Sequence, residues 1–125
     1  MAVLIDSWAW IEYFKGSPAG EQVRPYLSGS HELLISTINA AEVYRSFLST
    51  QNERDAKQAA KFMICTAFPI PVSLSIALFA AHIRHEKKFG LGDAIIMATA
   101  RKHHADILTG DPDFKNEEQV IYIGK

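Results

Sequence analysis

Residues 2–6 read Ala-Val-Leu-Ile-Asp, a short apolar run that ends in a carboxylate. The run is too short for a helix and therefore predicts a buried strand. Aromatic and aliphatic residues follow at helical spacing over Trp8–Phe14, and residues 16–18, Gly-Ser-Pro, end that helix. This stretch predicts a strand, an acidic residue at its carboxyl end, and a helix directly after it.

The same alternation continues along the chain. Further strands are predicted at Leu33–Ser36, Pro69–Val72, Ala105–Thr109 and Val120–Ile123. Further helices are predicted at Gly20–Leu27, from Asn39 to about Thr50, and at Asp55–Ala67, Leu74–Lys88 and Asp93–His103. The prolines put the third strand at or near a sheet edge. Short buried strands between helices predict an α/β fold, a three-layer α/β/α sandwich with a short, mainly parallel sheet. We expect one domain over residues 1–125.

The composition is that of a folded soluble protein, with 48% hydrophobic and 22% charged residues. The single cysteine, Cys65, excludes an internal disulfide and suits a reducing compartment. Its apolar neighbours predict a small core residue. No apolar run approaches the roughly 20 residues of a membrane span, and the N-terminus lacks the basic region of a signal peptide. We therefore expect a cytoplasmic protein without a membrane partner.

Four carboxylates fall where predicted elements begin or end. Asp6 follows the first strand and Asp111 the fourth. Glu42 lies in the predicted first turn of the helix after the second strand, and Asp93 begins the helix before the fourth. Ligands of an open parallel sheet bind beyond the carboxyl ends of its strands. We therefore expect these four side chains to gather there.

Each carboxylate also has a structural explanation. Asp6 and Asp93 suit helix N-caps, Glu42 could complete a capping box with Asn39, and Asp111 begins an Asp-Pro turn. For any one residue the structural role is favoured. The four together favour a cation site. A formal net charge of −1 argues only weakly against nucleic-acid binding, because bound cations would reverse the local charge.

Four blocks of sequence resemble PIN-domain ribonucleases, most closely the VapC-like toxins of prokaryotic toxin–antitoxin pairs. The blocks are VLIDS (3–7) with WIEYF (10–14), IST (35–37) with NAAEV (39–43), GLGDAIIMATA (90–100) and ILTGDPDF (107–114). They span nearly the whole chain in the order and spacing of that family. The resemblance implies a PIN-like fold and a metal-dependent endoribonuclease.

The resemblance also implies the site residues. Asp6, Glu42, Asp93 and Asp111 would form the catalytic, metal-binding quartet, with Asp6 and Asp93 as the first direct ligands. Asp113 is a possible fifth carboxylate, and whether Asp111 or Asp113 faces the metal stays open. Thr109 and Ser7 would support the cluster. Carboxylate oxygens favour Mg²⁺ or Mn²⁺, which would activate water for attack on an RNA phosphodiester.

The partners implied by the resemblance are an RNA substrate, a small cognate antitoxin and a second copy of the chain in a homodimer. The aromatic residues of the first helix could stack on RNA bases, pack in the core or contact the antitoxin. Cations flank the Asp93 block at Arg84, Lys87, Lys88, Arg101 and Lys102. They could guide the RNA backbone, although a solvated helix face is the simpler interpretation for each one.

Other functions fit the residues less well. A haloacid-dehalogenase relative needs a second Asp at the position of Trp8, and a response-regulator receiver needs an acidic neighbour beside Asp6. Two alternatives keep the PIN resemblance: a housekeeping nuclease of RNA processing without an antitoxin, and a non-catalytic module that binds RNA or protein. The four retained acids argue against the second, since a scaffold does not need their mutual repulsion.

Overall fold

Five parallel strands form one sheet in the computed structural model, which describes residues 1–124. The strands are β1 (Ala2–Ile5), β2 (Glu32–Ser36), β3 (Phe68–Ile70), β4 (Asp106–Thr109) and β5 (Val120–Tyr122). Their order is β3-β2-β1-β4-β5, and every neighbouring pair is parallel. The expected parallel sheet is confirmed, and the proline-containing β3 lies at its edge as predicted.

Seven helices connect the strands within residues 1–124. They are α1 (Ser7–Lys15), α2 (Pro18–Glu21), α3 (Arg24–Ser28), α4 (Thr37–Thr50), α5 (Glu53–Thr66), α6 (Leu74–Glu86) and α7 (Leu91–Lys102). A 3₁₀ turn, Pro112–Phe114, follows β4. The prediction of one helix over Gly20–Leu27 is wrong, because two short helices occupy the region. Pro25 lies in the first turn of α3, where its missing N–H costs nothing; inside a longer helix it would break the hydrogen-bond ladder.

Helices cover both faces of the sheet. Leu4, Leu34 and Ile107 point to one face and pack in a cluster with α6 and α7. Their neighbours in the strands point to the other face and pack with α1, α4 and α5, as the alternation of side chains along a strand requires. The three-layer sandwich is therefore confirmed. Within residues 1–124, no helix combines the length and apolar character needed to cross a bilayer.

The prediction that Cys65 belongs to the core is wrong, because its side chain is exposed. The buried residues of α5 are Ala56, Ala59 and Met63, spaced three and four positions apart. This spacing defines the inward face of the helix. Cys65 follows Met63 by two positions and therefore points away from that face, whatever the polarity of its neighbours in sequence.

The strand order changes direction at β1. The chain runs from β1 outward to β2 and β3, then crosses to β4 and β5 on the other side of β1. A crevice is expected where the order reverses, beyond the carboxyl ends of β1 and β4. Asp6 follows β1 and Asp111 lies two residues beyond β4, so the topology directs both residues to this crevice.

Candidate metal centre

Asp6 lies at the carboxyl end of β1 with 3% of its surface exposed. Its backbone N–H donates to the Leu108 carbonyl at 3.0 Å, which continues the pairing of β1 with β4. Asp6 occupies the N-cap position of α1, yet its side chain makes no capping hydrogen bond. The carboxylate is instead directed across the sheet end, where its Oδ2 accepts a hydrogen bond from Thr109 Oγ1 at 2.8 Å.

Thr109 connects the ends of the two central strands. It is fully buried, and its hydroxyl donates to Asp6 while accepting from the Asp111 backbone N–H at 3.0 Å. A buried hydroxyl needs such partners, since an unmade hydrogen bond costs about 1–3 kcal/mol. The side chain therefore sets the position of Asp6 relative to the turn that carries Asp111.

Glu42 lies in the second turn of α4, and the prediction of the first turn is wrong because the helix begins at Thr37. Ser36 caps the helix: its Oγ accepts from Ile38 N at 3.2 Å, and its own N–H donates to Asn39 Oδ1 at 2.9 Å. The capping box thus pairs Asn39 with Ser36 rather than with Glu42. This leaves the Glu42 carboxylate available for the crevice.

A second hydrogen-bonded chain holds Glu42. Asn39 Nδ2 donates to Ser7 Oγ at 2.9 Å, and Ser7 Oγ donates to Glu42 Oε1 at 2.5 Å. Asn39 is fully buried and uses both ends of its amide, one for the cap and one for Ser7. Ser7 therefore lies beside Glu42 and connects it to Asn39. Asn39 was missed as a site residue; the signal was its position one turn before Glu42 in the same sequence block.

Gly92 lets α7 approach Glu42 closely. A Cβ at this position would lie 2.9 Å from Glu42 Oε2. That separation is shorter than ordinary van der Waals contact, so a side chain at position 92 would displace the carboxylate. The glycine thus leaves room for the Glu42 carboxylate beside α7, and its neighbour Asp93 faces the same crevice.

Asp93, Asp111 and Asp113 form the closest group of carboxylates. One oxygen from each lies within 4.8 Å of the other two, and no other trio of His, Cys, Asp or Glu in residues 1–124 meets this criterion. Asp93 lies in the first turn of α7, whose N-cap is Gly90, so its alternative role as N-cap is excluded. Asp111 does cap the 3₁₀ turn, accepting from Asp113 N at 3.0 Å. Both members of the Asp111/Asp113 pair belong to the group.

Burial and crowding raise the pKa values of two of these acids. Burial raises the pKa of Asp6 from 3.8 to about 6, against the lowering effects of Thr109 and the Ser7 backbone N–H; the charges of Glu42 and Asp111 raise it further. The pKa of Asp93 rises from 3.8 to about 7, first through burial and then through the other carboxylates around it. These carboxylates are Asp111, Asp6, Asp113 and Glu42, in decreasing order of effect. All five therefore interact electrostatically.

The five carboxylates of the cluster have no ion-pair partner within residues 1–124. Its closest group offers only carboxylate oxygens, the ligands preferred by hard divalent cations such as Mg²⁺ and Mn²⁺. A bound divalent ion would favour the charged forms of acids whose pKa values are raised without it. The donor set and the electrostatics thus fit a cation of this class.

Known proteins resemble this chain in sequence and in overall structure. The sequence profile of the PIN domain matches residues 3–118. A toxin–antitoxin complex from Klebsiella pneumoniae contains a chain of similar structure, with 28% identity, 95% of each chain covered and a TM-score of 0.78. Among curated proteins, none matches significantly.

Two more distant structures share the fold. Mycobacterium tuberculosis VapC20, described as a sarcin–ricin-loop-cleaving toxin, has 19% identity over 98% of this chain and 99% of its own, with a TM-score of 0.80. VapBC2 from Rickettsia felis, bound to a DNA fragment from its promoter, has 15% identity over 99% and 100%, also with a TM-score of 0.80. The order of strands and helices is thus shared along almost the full length of these chains.

Proposed function

Because the chain belongs to the PIN-domain family, we propose that it is a metal-dependent endoribonuclease and the toxin of a toxin–antitoxin pair. The observation that carries the proposal is the convergence of five carboxylates at the carboxyl ends of β1 and β4. Assembling these acids raises two of their pKa values, so their charged forms are destabilised when no cation is present. A cation-dependent reaction explains why they are assembled.

The proposed ligands follow from the geometry. Asp93, Asp111 and Asp113 offer the three closest oxygens. Asp6 is the buried acid beside them, oriented by Thr109, and contributes charge and a further oxygen. When bound, Mg²⁺ or Mn²⁺ supplies Lewis-acid catalysis of phosphodiester hydrolysis. The number of ions follows from a metal titration by calorimetry, with the Asp93→Asn variant as the control.

Glu42 is the proposed proton acceptor. Its side chain is exposed, unlike that of Asp6, and Ser7 holds one of its oxygens at 2.5 Å. In the proposed reaction a water oxygen bonds to phosphorus and the bond from phosphorus to the 3′ oxygen breaks. Glu42 accepts the proton of the water, and the 3′ oxygen takes one from solvent. The products are a 5′-phosphate and a 3′-hydroxyl.

The test is incubation of purified protein with total cellular RNA in Mg²⁺ or Mn²⁺, with EDTA and the Asp6→Asn variant beside it. Asp106→Asn is a matched control, since Asp106 begins β4 at the opposite end of that strand from Thr109. We expect cleavage by the wild type and the control, and none with EDTA or Asp6→Asn. Equal cleavage by Asp6→Asn would overturn the mechanism. RNA left intact in both metals would favour the non-catalytic alternative.

The antitoxin proposal rests on an aromatic groove between α1, α4 and α5, which we define by Phe14, Phe47 and Phe62. Two hollows of about 260 and 290 Å³ both touch Phe14 and Phe47. Phe62 is 39% exposed although it contacts three aromatic rings. Exposed aromatic residues that line a groove are frequent anchors of protein interfaces. The Klebsiella pneumoniae structure, a toxin–antitoxin complex, supports a partner of this kind.

Co-expression with the product of the neighbouring small gene tests this proposal. We expect a stable complex that Phe62→Ala weakens by about thirtyfold or more, because truncating an interface anchor costs about 2 kcal/mol or more. Phe68→Ala is the control, since Phe68 is also exposed but lies on the edge strand β3. A nuclease without such a partner would be the housekeeping alternative.

The proposed homodimer would use apolar surface on α6. Leu74 and Leu78 are 75% and 58% exposed and lie one helical turn apart. Light scattering of the purified protein is the test. A dimer that Leu78→Glu converts to monomer supports this face, and a wild-type monomer at high concentration contradicts the homodimer.

A further inference from the structure

A short basic segment lies where α6 ends, outside the cluster of acids. The chain carries a formal net charge of −1. Setting aside the five carboxylates of the site leaves the rest of the chain at +4. Three cations occur within five residues where α6 ends: Arg84, Lys87 and Lys88. Glu86 is the one acid among them. This short basic segment leads directly into α7 and Asp93.

The segment is attached to the turn that carries two of the acids. The rings of Phe89 and Phe114 lie 5.5 Å apart, and both side chains are buried. Lys87 Nζ lies 3.1 Å from Glu117 Oε1. Phe114 belongs to the 3₁₀ turn that Asp111 caps, and Glu117 follows that turn. The basic segment and the acidic turn are therefore held side by side at two points.

Two of the cations remain available to a ligand. Lys87 is engaged by Glu117, whereas Arg84 and Lys88 are exposed and form no ion pair within residues 1–124. Both line a surface cleft of about 490 Å³ along residues 84–90. Lys88 lies between two residues that contact the region of the acidic turn. The backbone at Lys88 is thus held next to the acidic turn, and its side chain forms no ion pair with an acid of residues 1–124.

Arg101 and Lys102 do not share this position. They lie in the last turn of α7, and Asp93 lies in the first. Eight residues separate Asp93 from Arg101, which corresponds to about 12 Å along a helix. Lys102 Nζ also donates a hydrogen bond to Ser75 Oγ. Arg84 and Lys88 therefore differ from the other cations near Asp93 in sequence. They lie in the segment attached to the acidic turn, and neither forms an ion pair within residues 1–124.

We propose that Arg84 and Lys88 bind phosphates of the RNA strand next to the scissile phosphodiester. The inference rests on the proposed function and extends it by naming the residues that hold the substrate backbone. An arginine supplies a planar pair of donors for phosphate and a lysine supplies a point charge. Backbone contacts of this kind position the strand without reading its bases.

The test compares R84Q/K88Q with R54Q/K61Q. The control removes one arginine and one lysine, both exposed, from α5 on the opposite face of the sheet. The probe is a labelled RNA that spans a cleavage site mapped in total RNA. Each single-strand phosphate contact changes the salt slope of binding by about 0.7. Removing two contacts lowers the slope by about 1.4, and 0.15 raised to the power −1.4 is about 14. At about 0.15 M salt we therefore expect KM to rise about 14-fold, with kcat nearly unchanged.

Binding supplies a readout independent of cleavage. In the Asp6→Asn background, fluorescence anisotropy should show a similar loss of affinity and a salt slope smaller by about 1.4 for R84Q/K88Q. If R84Q/K88Q matches R54Q/K61Q while the wild type cleaves RNA, the phosphate contacts are wrong and the nuclease stands. A fall in kcat without a change in salt slope would also overturn the contacts, since it indicates only displacement of Asp93. A wild type that neither cleaves nor binds total cellular RNA overturns both proposals.

Discussion

At the scale of single residues, the carboxylates of the crevice are positioned by two small hydroxyl side chains, each of which forms two hydrogen bonds. Thr109 bonds to Asp6 and to the Asp111 backbone. Ser7 accepts from Asn39 and donates to Glu42. Such shared hydrogen bonds orient the carboxylates before a cation binds, so less ordering remains to be done at that step. Substituting a residue next to the acids should therefore change the affinity for the cation and the free energy of unfolding by different amounts.

Gly92→Ala should stabilise the protein slightly while weakening its affinity for Mg²⁺. Alanine is about 1 kcal/mol better than glycine in a helix interior, and the gain is smaller at Gly92 because it lies in the first turn of α7. The alanine Cβ would lie 2.9 Å from Glu42 Oε2, the far end of that side chain, which would have to move and would carry its negative charge away from the cation held by the other acids. Urea unfolding and calorimetric metal titration measure the two effects.

A double-mutant cycle with Glu42→Ala checks the cause of this effect. Once Glu42 is truncated, Gly92→Ala should lower metal affinity no further, because there is no carboxylate left to displace. Equal losses of affinity with and without Glu42 would mean that the glycine acts through the backbone of α7 instead.

The raised pKa values of Asp6 and Asp93 predict that metal-free protein loses stability as pH rises. Both folded-state values, about 6 and about 7, exceed the ordinary 3.8. The contribution is fully present below about pH 4 and is lost as pH rises through 6 to 7. In EDTA, Asp93→Asn should thus gain stability over the wild type between pH 4 and 8. We expect about 1–2 kcal/mol, because solvent screens a partly exposed group.

Denaturant unfolding at a series of pH values measures that difference. Adding Mg²⁺ at pH 8 should reverse the order of the two proteins, since the ion favours the charged carboxylates of the wild type. A stability difference that stays constant from pH 4 to 8 would show that Asp93 is not destabilised by its surroundings.

At the scale of elements, the 3₁₀ turn Pro112–Phe114 joins the core to the site. Phe114 is fully buried and contacts Phe89, while Asp111 and Asp113 in the same turn reach the group of three carboxylates. Packing of one ring therefore determines where two acids lie. α7 also belongs to both the core and the site. Its residues 94–100 are buried, and its first turn carries Asp93.

Phe114→Ala should destabilise the protein by about 3–5 kcal/mol, as for other buried aromatic residues, and should also weaken Mg²⁺ binding. Phe114→Leu should keep most of both properties because it retains more of the volume. Met63→Ala is the control, since Met63 is equally buried but lies in α5 on the other face of the sheet. It should lose about 2–5 kcal/mol with unchanged metal affinity. If Phe114→Ala bound Mg²⁺ as tightly as the wild type, the packing of Phe114 would not determine the geometry of the site.

At the scale of the whole molecule, the acids come from both halves of the chain. Asp6 and Glu42 belong to the first half, and Asp93, Asp111 and Asp113 to the second. The site exists only when β1, β4, α4 and α7 are all in place. A ligand that bridges these elements binds the folded state and not the unfolded one, so its binding energy adds to the stability of the fold.

Mg²⁺ should therefore raise the melting temperature of the wild type. At a concentration 100 times its Kd, the ion stabilises the folded state by about 2.7 kcal/mol, or roughly 10 °C for a domain of this size. Asp93→Asn should show little of this increase. Differential scanning calorimetry with and without EDTA measures it, and an equal increase in the variant would place the ion elsewhere.

Local sequence was sufficient for most of the fold. Apolar runs and their breakers placed all five strands within about two residues, and the prolines placed β3 at the edge. The errors were the division of α2 from α3, the start of α4 before Asn39, and the exposed Cys65. Pro25 separates the two short helices, Ser36 caps α4 earlier than predicted, and the position of Cys65 on α5 outweighs its apolar neighbours in sequence.

The candidate site was also predicted in part from the sequence and determined in part only by the tertiary structure. The types and order of the acids, and the match to the PIN pattern, are properties of the sequence. Only the tertiary structure brings Asp113 into the group of three, assigns Asn39 and Ser7 to Glu42, and separates Arg84 and Lys88 from Arg101 and Lys102. The physical reason is distance along the chain. The hydrogen bond between Thr109 and Asp6 spans 103 residues and that between Ser7 and Glu42 spans 35, far beyond the few residues over which local propensity acts.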